Sequence, residues 1–267
     1  MKVSVVTISF NQAQFLERAL ASVLRQRCAN WEYIVVDPGS TDGSRDIIER
    51  YRASLTHVVY EGDEGPADGL NKGFACATGD IFCYLNSDDE FEPRAFERVA
   101  SFFSSNPKTD VVCGHAWIVD RCDKRLRRVW SDPYNRTLVA YGVAIQIQPS
   151  TFIRADAFRR VGGFNIRNRI SWDSELLCDL NSSGARIDTI DEFLSLYRVH
   201  PSSITGAALH KDLAAEQGSI RFERLMGRPW GPWDRYIKGV MVVVRQLRNP
   251  QAFFERLFRG KVYGRSP

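Results

Sequence analysis

Short β-branched runs alternate with longer stretches whose apolar residues recur at three-and-four spacing. Residues 3–9 form a near-continuous apolar run, the pattern of a strand buried on both faces. Asn11 then opens a helix in which Phe15, Leu16, Ala19, Leu20, Val23 and Leu24 share one face. Residues 33–37 read as a second strand closed by Pro38-Gly39-Ser40, which completes a βαβ unit. The alternation repeats: a helix capped by Ser40 or Thr41 and running through Tyr51, a strand over 58–60, a helix over 67–77 and a strand over 81–85. This order predicts an α/β fold, a mostly parallel open sheet flanked by helices.

Beyond Asn86-Ser87-Asp88-Asp89 the two periods mix. The spacing predicts a helix over 94–104, a strand over 111–113, and antiparallel strands near 117–120 and 126–130. Helices follow near 155–161 and 173–183, the second stopped by Gly184, and then strands over 186–190 and 193–199. There is no internal repeat. A boundary near 206–216 divides the chain into a main domain over 1–206 and a helical C-terminal tail over 207–267.

Charge sharpens that division. From Arg221 to Pro267 there are 11 basic and 3 acidic residues, so the tail carries +8 and residues 1–220 about −4 of the whole-chain +4. The hydrophobic content of 44% and charged content of 25% are ordinary for a globular protein. Six scattered cysteines form no Cys-X-X-Cys pair and read as reduced, buried small hydrophobes. The first apolar run is too short for a signal peptide, and the longest apolar run of the tail, residues 239–244, is too short to span a bilayer, so the expected location is cytoplasmic.

In an open parallel sheet, ligands bind beyond the carboxyl ends of the strands. Two polar clusters sit there. Asp37-Pro38-Gly39-Ser40-Thr41-Asp42-Gly43 joins a carboxylate to a glycine that admits close approach, though a plain strand-to-helix turn with a capping hydroxyl gives the same pattern. In Asn86-Ser87-Asp88-Asp89, adjacent carboxylates repel one another, which Mg²⁺ or Mn²⁺ on a diphosphate would relieve; a solvated acidic turn capping the next helix is the alternative.

These segments, with Val3-Ser4-Val5-Val6-Thr7, resemble the inverting family 2 glycosyltransferases of bacterial surface-polysaccharide synthesis, whose fold is of the GT-A type. The likeness extends through Gly65-Pro66-Ala67-Asp68-Gly69-Leu70-Asn71-Lys72-Gly73, Ala77-Thr78-Gly79-Asp80, Val161-Gly162-Gly163-Phe164, Trp172-Asp173 and Tyr197-Arg198-Val199-His200-Pro201, so it covers residues 1–206. It implies transfer of a sugar from a nucleotide-diphosphate donor, UDP-linked in the commonest case, to a hydroxyl of a glycan or lipid-linked acceptor.

By the same resemblance Asp37 would accept from the nucleotide base, and Asp88 would bind the divalent cation, with His200 on the metal or near the diphosphate. Asp89, Asn86, Ser9, Asp68, Asn71 and Lys72 would line the donor site. Asp173 would be the base that takes the proton of the attacking hydroxyl; the plain alternative for it is a helix N-cap, and for His200 a surface residue. Two positions depart from the family pattern: Pro38 replaces a second aspartate, and Asn86 replaces the first aspartate of the metal motif, which removes a charge but retains an oxygen.

The tail interleaves Trp230, Trp233, Tyr236, Ile237, Val240, Phe253, Phe254, Leu257 and Phe258 with Arg and Lys. That composition suits peripheral contact with an anionic membrane, or packing on the main domain or another subunit. Other function classes fit less well. A nucleotidyltransferase would carry a glycine- and basic-rich loop after the first strand, where Ser9-Phe10-Asn11-Gln12 stands. A non-catalytic nucleotide-sugar or carbohydrate-binding protein of the same fold is compatible with Pro38 and Asn86. No nucleic-acid recognition motif is present.

Overall fold

The computed structural model describes residues 1–27, 30–200 and 211–260, with 211–214 described by backbone alone. Cys28, Pro201 and the expected boundary at 206 lie outside the described residues. The chain opens with β1 (Val3–Ile8), α1 (Ala13–Leu24), β2 (Trp31–Val36), α2 (Ser44–Tyr51), β3 (His57–Val59), α3 (Pro66–Ala75) and β4 (Ile81–Asn86). It continues through β5 (Glu90–Phe91), α4 (Ala95–Ser105), β6 (Val111–Val119), β7 (Arg125–Val129), α5 (Arg136–Ala140), β8 (Thr151–Arg154), α6 (Ala155–Arg160), α7 (Trp172–Ser182) and β9 (Ile187–Arg198). Three helices end it: α8 (Lys211–Met226), α9 (Asp234–Arg248) and α10 (Pro250–Arg259).

The strands form one mixed sheet in the order β3-β2-β1-β4-β8-β6-β9-β5, with β7 on β6. The first four are parallel, as the alternation predicts, and β6 is parallel to β9. β8 runs antiparallel to β4 and β6, while β5 and β7 run antiparallel to β9 and β6. The continuous apolar runs work because both faces are covered. Val3, Val5, Tyr33, Val35, Cys83 and Leu85 pack toward α1, α2 and α4, whereas Val6, Ile34, Val36, Phe82 and Tyr84 pack toward α3, α6 and α7.

Several expectations need correction. α2 is not capped by Ser40 or Thr41: it begins at Ser44 after Gly43, and Ser40 Oγ instead accepts from the Asn11 amide at 2.8 Å. Asn11 does not open α1, which starts two residues later; Asn11 holds a positive φ of 53° and accepts from Thr41 N. The two strands expected over 111–113 and 117–120 are the single strand β6, which ends at Val119, and the two expected over 186–199 are the single strand β9. Gly114 hid that continuity. It is where the β6–β9 register shifts, and a Cβ there would lie 2.4 Å from Leu194. The short elements β5, α5 and β8 carry too little of either period to be seen in sequence. Of the cysteines, Cys83, Cys113 and Cys178 are buried and free, but Cys122 in the β6–β7 turn is exposed.

At the amino ends of the central strands lies a closed polar network. Glu32 accepts from Ser4 Oγ (2.5 Å), Thr78 N (2.6 Å), Thr78 Oγ1 (2.9 Å), Lys2 Nζ (2.5 Å) and Gly79 N (3.1 Å). Burial alone would raise its pKa, but these donors hold it at about 2. A Cβ at Gly79 would stand 2.5 Å from Ser4 Oγ, so the Ala77-Thr78-Gly79-Asp80 motif serves packing at the end of the sheet away from the candidate site.

The terminal helices dock on the main domain. Phe222 and Leu225 of α8 bury with Val139, Tyr141 and Cys178. Asp234, buried at the start of α9, pairs with Arg228 and accepts from Tyr141 Oη at 2.5 Å. Arg245 and Asn249 both reach Asp132, and Glu255 of α10 reaches Arg128.

Candidate functional site

β1, β2 and β4 end side by side, with Ile8 opposite both Val36 and Asn86. The residues that follow them therefore converge on one cavity of about 600 Å³ at the carboxyl edge of the sheet. Its lining includes Ser9, Pro38, Asn86, Asp88, Asp89 and Arg198, and on the other side the loop over residues 62–66 with Arg169.

Asp37 is fully buried at the end of β2. Its Oδ1 accepts from Gly39 N (3.1 Å), Ser40 N (2.8 Å) and Arg45 Nε (3.1 Å), whereas Oδ2 has no partner among the described residues. One oxygen shapes the turn and the other is left for a donor. Ser9 Oγ and Gln12 Oε1, both in the cavity lining, are likewise buried without a partner among the described residues. Buried polar atoms in native proteins are rarely left in this state unless a ligand or water completes them.

Asp88 and Asp89 do not cap α4, because β5 intervenes and the N-cap residue Arg94 is not bonded by them. Asp88 Oδ2 lies 2.9 Å from His200 Nε2. His200 is buried against the Phe15 ring, so it is no surface residue. Asp89 accepts from Arg198 N through Oδ1 at 2.8 Å, while its buried Oδ2 has no partner among the described residues. Burial, then the neighbouring Asp88 charge, pushes the Asp89 carboxyl well above the usual range, against the pull of Arg198.

Arg198 holds this segment in place. Fully buried at the end of β9, it donates from Nε to the Asp88 carbonyl (2.8 Å), from Nη1 to the Asp120 carbonyl (2.8 Å) and from Nη2 to Glu90 (2.6 Å), and it pairs with Asp123. Its role was not assigned from sequence, although the Tyr197-Arg198-Val199-His200 motif contained it. Arg169, Asp63 and Gln12 were also missed, since none follows a strand-end pattern.

The remaining predicted residues are placed around the cavity in different ways. Lys72 donates to the Gly62 carbonyl and pairs with Asp68 (3.0 Å), which accepts from Glu64 N, so the two shape the loop that lines the cavity. Asn71 faces elsewhere: its amide pairs in both directions with the Phe164 backbone, at 2.8 and 2.9 Å, tying residues 162–164 to α3. Asn86 donates to Gln148 Oε1 (3.0 Å).

Asp173 lies in the first turn of α7, whose N-cap is Ser171, so it is not a cap. It opens on a small recess shared with Tyr84, Gln146 and Gln148, beside the main cavity and not among its lining residues. Gln148 bridges the two, bonding both Asn86 and the Tyr84 carbonyl. Tyr84 is buried there with its hydroxyl set against the Trp172 side chain. Burial raises the Asp173 pKa, opposed by the Ser174 amide and by Arg221.

A family model described as glycosyl transferase family 2 matches residues 4–162. The chain belongs to glycosyltransferase family 2. An uncharacterised glycosyltransferase of Nostoc sp. is 28% identical over 212 residues, covering 75% of this chain and 65% of its own length, so the chain spans about two thirds of that relative. The putative teichuronic acid biosynthesis glycosyltransferase TuaG of Bacillus subtilis is 40% identical over 103 residues, 38% of this chain and 41% of TuaG. Among solved structures, S. aureus TarS 1–349 in complex with UDP-GlcNAc matches with a TM-score of 0.68 at 17% identity, over 98% of this chain and 77% of that one. The mannosyltransferase PcManGT of Pyrobaculum calidifontis, in complex with GDP-Man and Mn²⁺, matches at 0.64 and 18% over 96% and 73%. These structural likenesses agree in fold with the α/β architecture described above.

Proposed function

We propose that the chain transfers a sugar from a nucleotide-diphosphate sugar, UDP-linked, to a hydroxyl of a glycan or lipid-linked acceptor with inversion at the anomeric carbon. The observation that carries this reading is the convergence of Ser9, Gln12 and Asp89 on one strand-end cavity, each with a buried polar atom that has no partner among the described residues, with the similarly unpartnered Asp37 next to the lining residue Pro38. Asp37 Oδ2 would accept from the base, which requires a group that only accepts. TarS with UDP-GlcNAc and PcManGT with GDP-Man supply the precedent for such donors on this fold.

Asp88 and His200, already 2.9 Å apart, fit a cation shared with diphosphate oxygens, and the imidazole favours Mn²⁺ over Mg²⁺. Among the described residues no three His, Cys, Asp or Glu side chains cluster, so the protein would contribute few ligands and the diphosphate the rest. When bound, the cation would offset charge on the leaving diphosphate. Arg198 keeps Asp88 and Asp89 aimed into the cavity. Asp173 would take the proton as the acceptor oxygen bonds to the anomeric carbon and the carbon–oxygen bond to phosphate breaks, its electron pair leaving with the diphosphate.

Calorimetry of UDP, GDP and dTDP with and without Mn²⁺, on the wild type and on Asp88→Ala, tests the donor site. One nucleotide should bind, more tightly with metal, and the metal effect should vanish in the variant. Binding of none of the three would sink the transferase reading in favour of a carbohydrate-binding role.

A further inference from the structure

α9 and α10 are amphipathic in an inverted sense. Trp233, Tyr236, Ile237, Val240, Val243 and Leu247 recur at three-and-four spacing, and all are exposed, Trp233 at 73% and Leu247 at 77%. Phe254, Leu257 and Phe258 form a second exposed apolar face on α10, with Phe258 80% exposed. A helix docked on a globular body ordinarily turns its apolar stripe inward. Here charged and polar groups make much of the attachment to the domain: Asp234 to Tyr141, Arg245 and Asn249 to Asp132, Glu255 to Arg128.

The charge distribution says what covers this surface. Asp234 and Glu255, the acidic residues of α9 and α10, are turned into those pairs. Arg235, Lys238, Arg248, Arg256 and Arg259 remain exposed around the apolar stripe. A second copy meeting the same face by two-fold symmetry would set these cations against themselves. An anionic lipid surface offers hydrocarbon for the stripe and opposite charge for its flanks.

We propose that α9 and α10 seat the protein on an anionic bilayer, lying in its plane with Trp233 and Tyr236 at headgroup depth. Among the described residues no helix is long and apolar enough to cross a membrane, so the contact is interfacial. The proposal rests on the terminal helices alone and is independent of the donor-site reading.

The test is flotation of the full chain with vesicles of phosphatidylcholine, alone or mixed with phosphatidylglycerol, at low and high salt. The wild type should partition onto the mixed vesicles, with binding roughly tenfold or more weaker on phosphatidylcholine alone. The double variant Leu247→Glu, Phe258→Glu should lose a similar factor while keeping the wild-type circular dichroism spectrum and melting midpoint. A wild type that stays off mixed vesicles, or a folded double variant that floats equally well, overturns the proposal. So does a lipid-free dimer in light scattering that the variant abolishes while neither form floats, because the stripe then belongs to a second copy.

Discussion

At the amino ends of β1, β2 and β4, Glu32 is 3% exposed and has donors on both carboxylate oxygens, supplied by Lys2, Ser4, Thr78 and Gly79. At the carboxyl ends of the same strands, Asp37 and Asp89 are as deeply buried, yet each leaves one oxygen without a partner among the described residues. The strands and their packing are shared, so the difference lies in which donors the flanking turns supply. A completed carboxylate stabilises the folded state, while an incomplete one costs stability and is retained where a ligand completes it.

The comparison breaks most sharply under substitution of the groups assigned to chemistry. Asp173→Asn should lower kcat by about 10²–10⁴-fold, the contribution expected of a general base, with a melting midpoint level or raised, since burial already disfavours the charged carboxylate. In the wild type the raised Asp173 pKa should place the acid limb of the rate profile above the ordinary aspartate value near 4, since the base acts only when deprotonated. An acid limb at or below that value would remove Asp173 from the role.

Next in size is Arg198→Met, which strands Glu90, leaves Asp123 with Arg18 alone and frees the Asp88 carbonyl. Breaking a buried pair by removing one partner should cost about 3–5 kcal/mol in denaturant unfolding. Nucleotide affinity in the surviving folded fraction should fall with it. A stable variant with intact affinity would show that the segment over 86–90 holds itself.

Glu32→Gln should destabilise by about 3 kcal/mol at neutral pH, the worth of a carboxyl held at about 2 instead of its ordinary 4.5. Because the folded value is depressed, this stability is present above the unfolded value and disappears as pH falls from 4.5 toward 2. The wild type and variant should therefore converge in melting midpoint across that window. Activity measured well below the melting point should be unchanged, unlike the variants at the other end of the sheet.

Asp37→Asn is the smallest and the sharpest contrast. It keeps the shape, replaces an oxygen that lacks a partner with a donor, and should weaken nucleotide binding by roughly tenfold, one hydrogen bond to a charged acceptor. Stability should stay level or rise, the opposite sign from Glu32→Gln. A drop in stability equal to that of Glu32→Gln would mean the two ends do not differ.

Most of the first half of the fold was legible in sequence because buried strands and one-sided helices leave periods of two and 3.6 in the apolar residues. The strand-end clusters at Asp37 and Asp88 were legible for the same reason, as polar residues directly after apolar runs. Which of their neighbours joined the cavity was not. Asn71 reads like Lys72 in sequence, yet its amide clamps the Phe164 backbone while Lys72 shapes the cavity loop.

The sequence by itself determined the parallel β1–β4 core, the family and the positions of the two acidic turns, since these depend on local periodicity and short contiguous motifs. Only the tertiary structure decided that Arg198 clamps Asp88 and Asp89, that Gln148 joins Asn86 to the recess of Asp173, and that α9 turns its apolar stripe outward. Each of these joins residues far apart in the chain, or rests on the direction a helix face takes, and a periodic pattern specifies that a face exists without specifying what it meets.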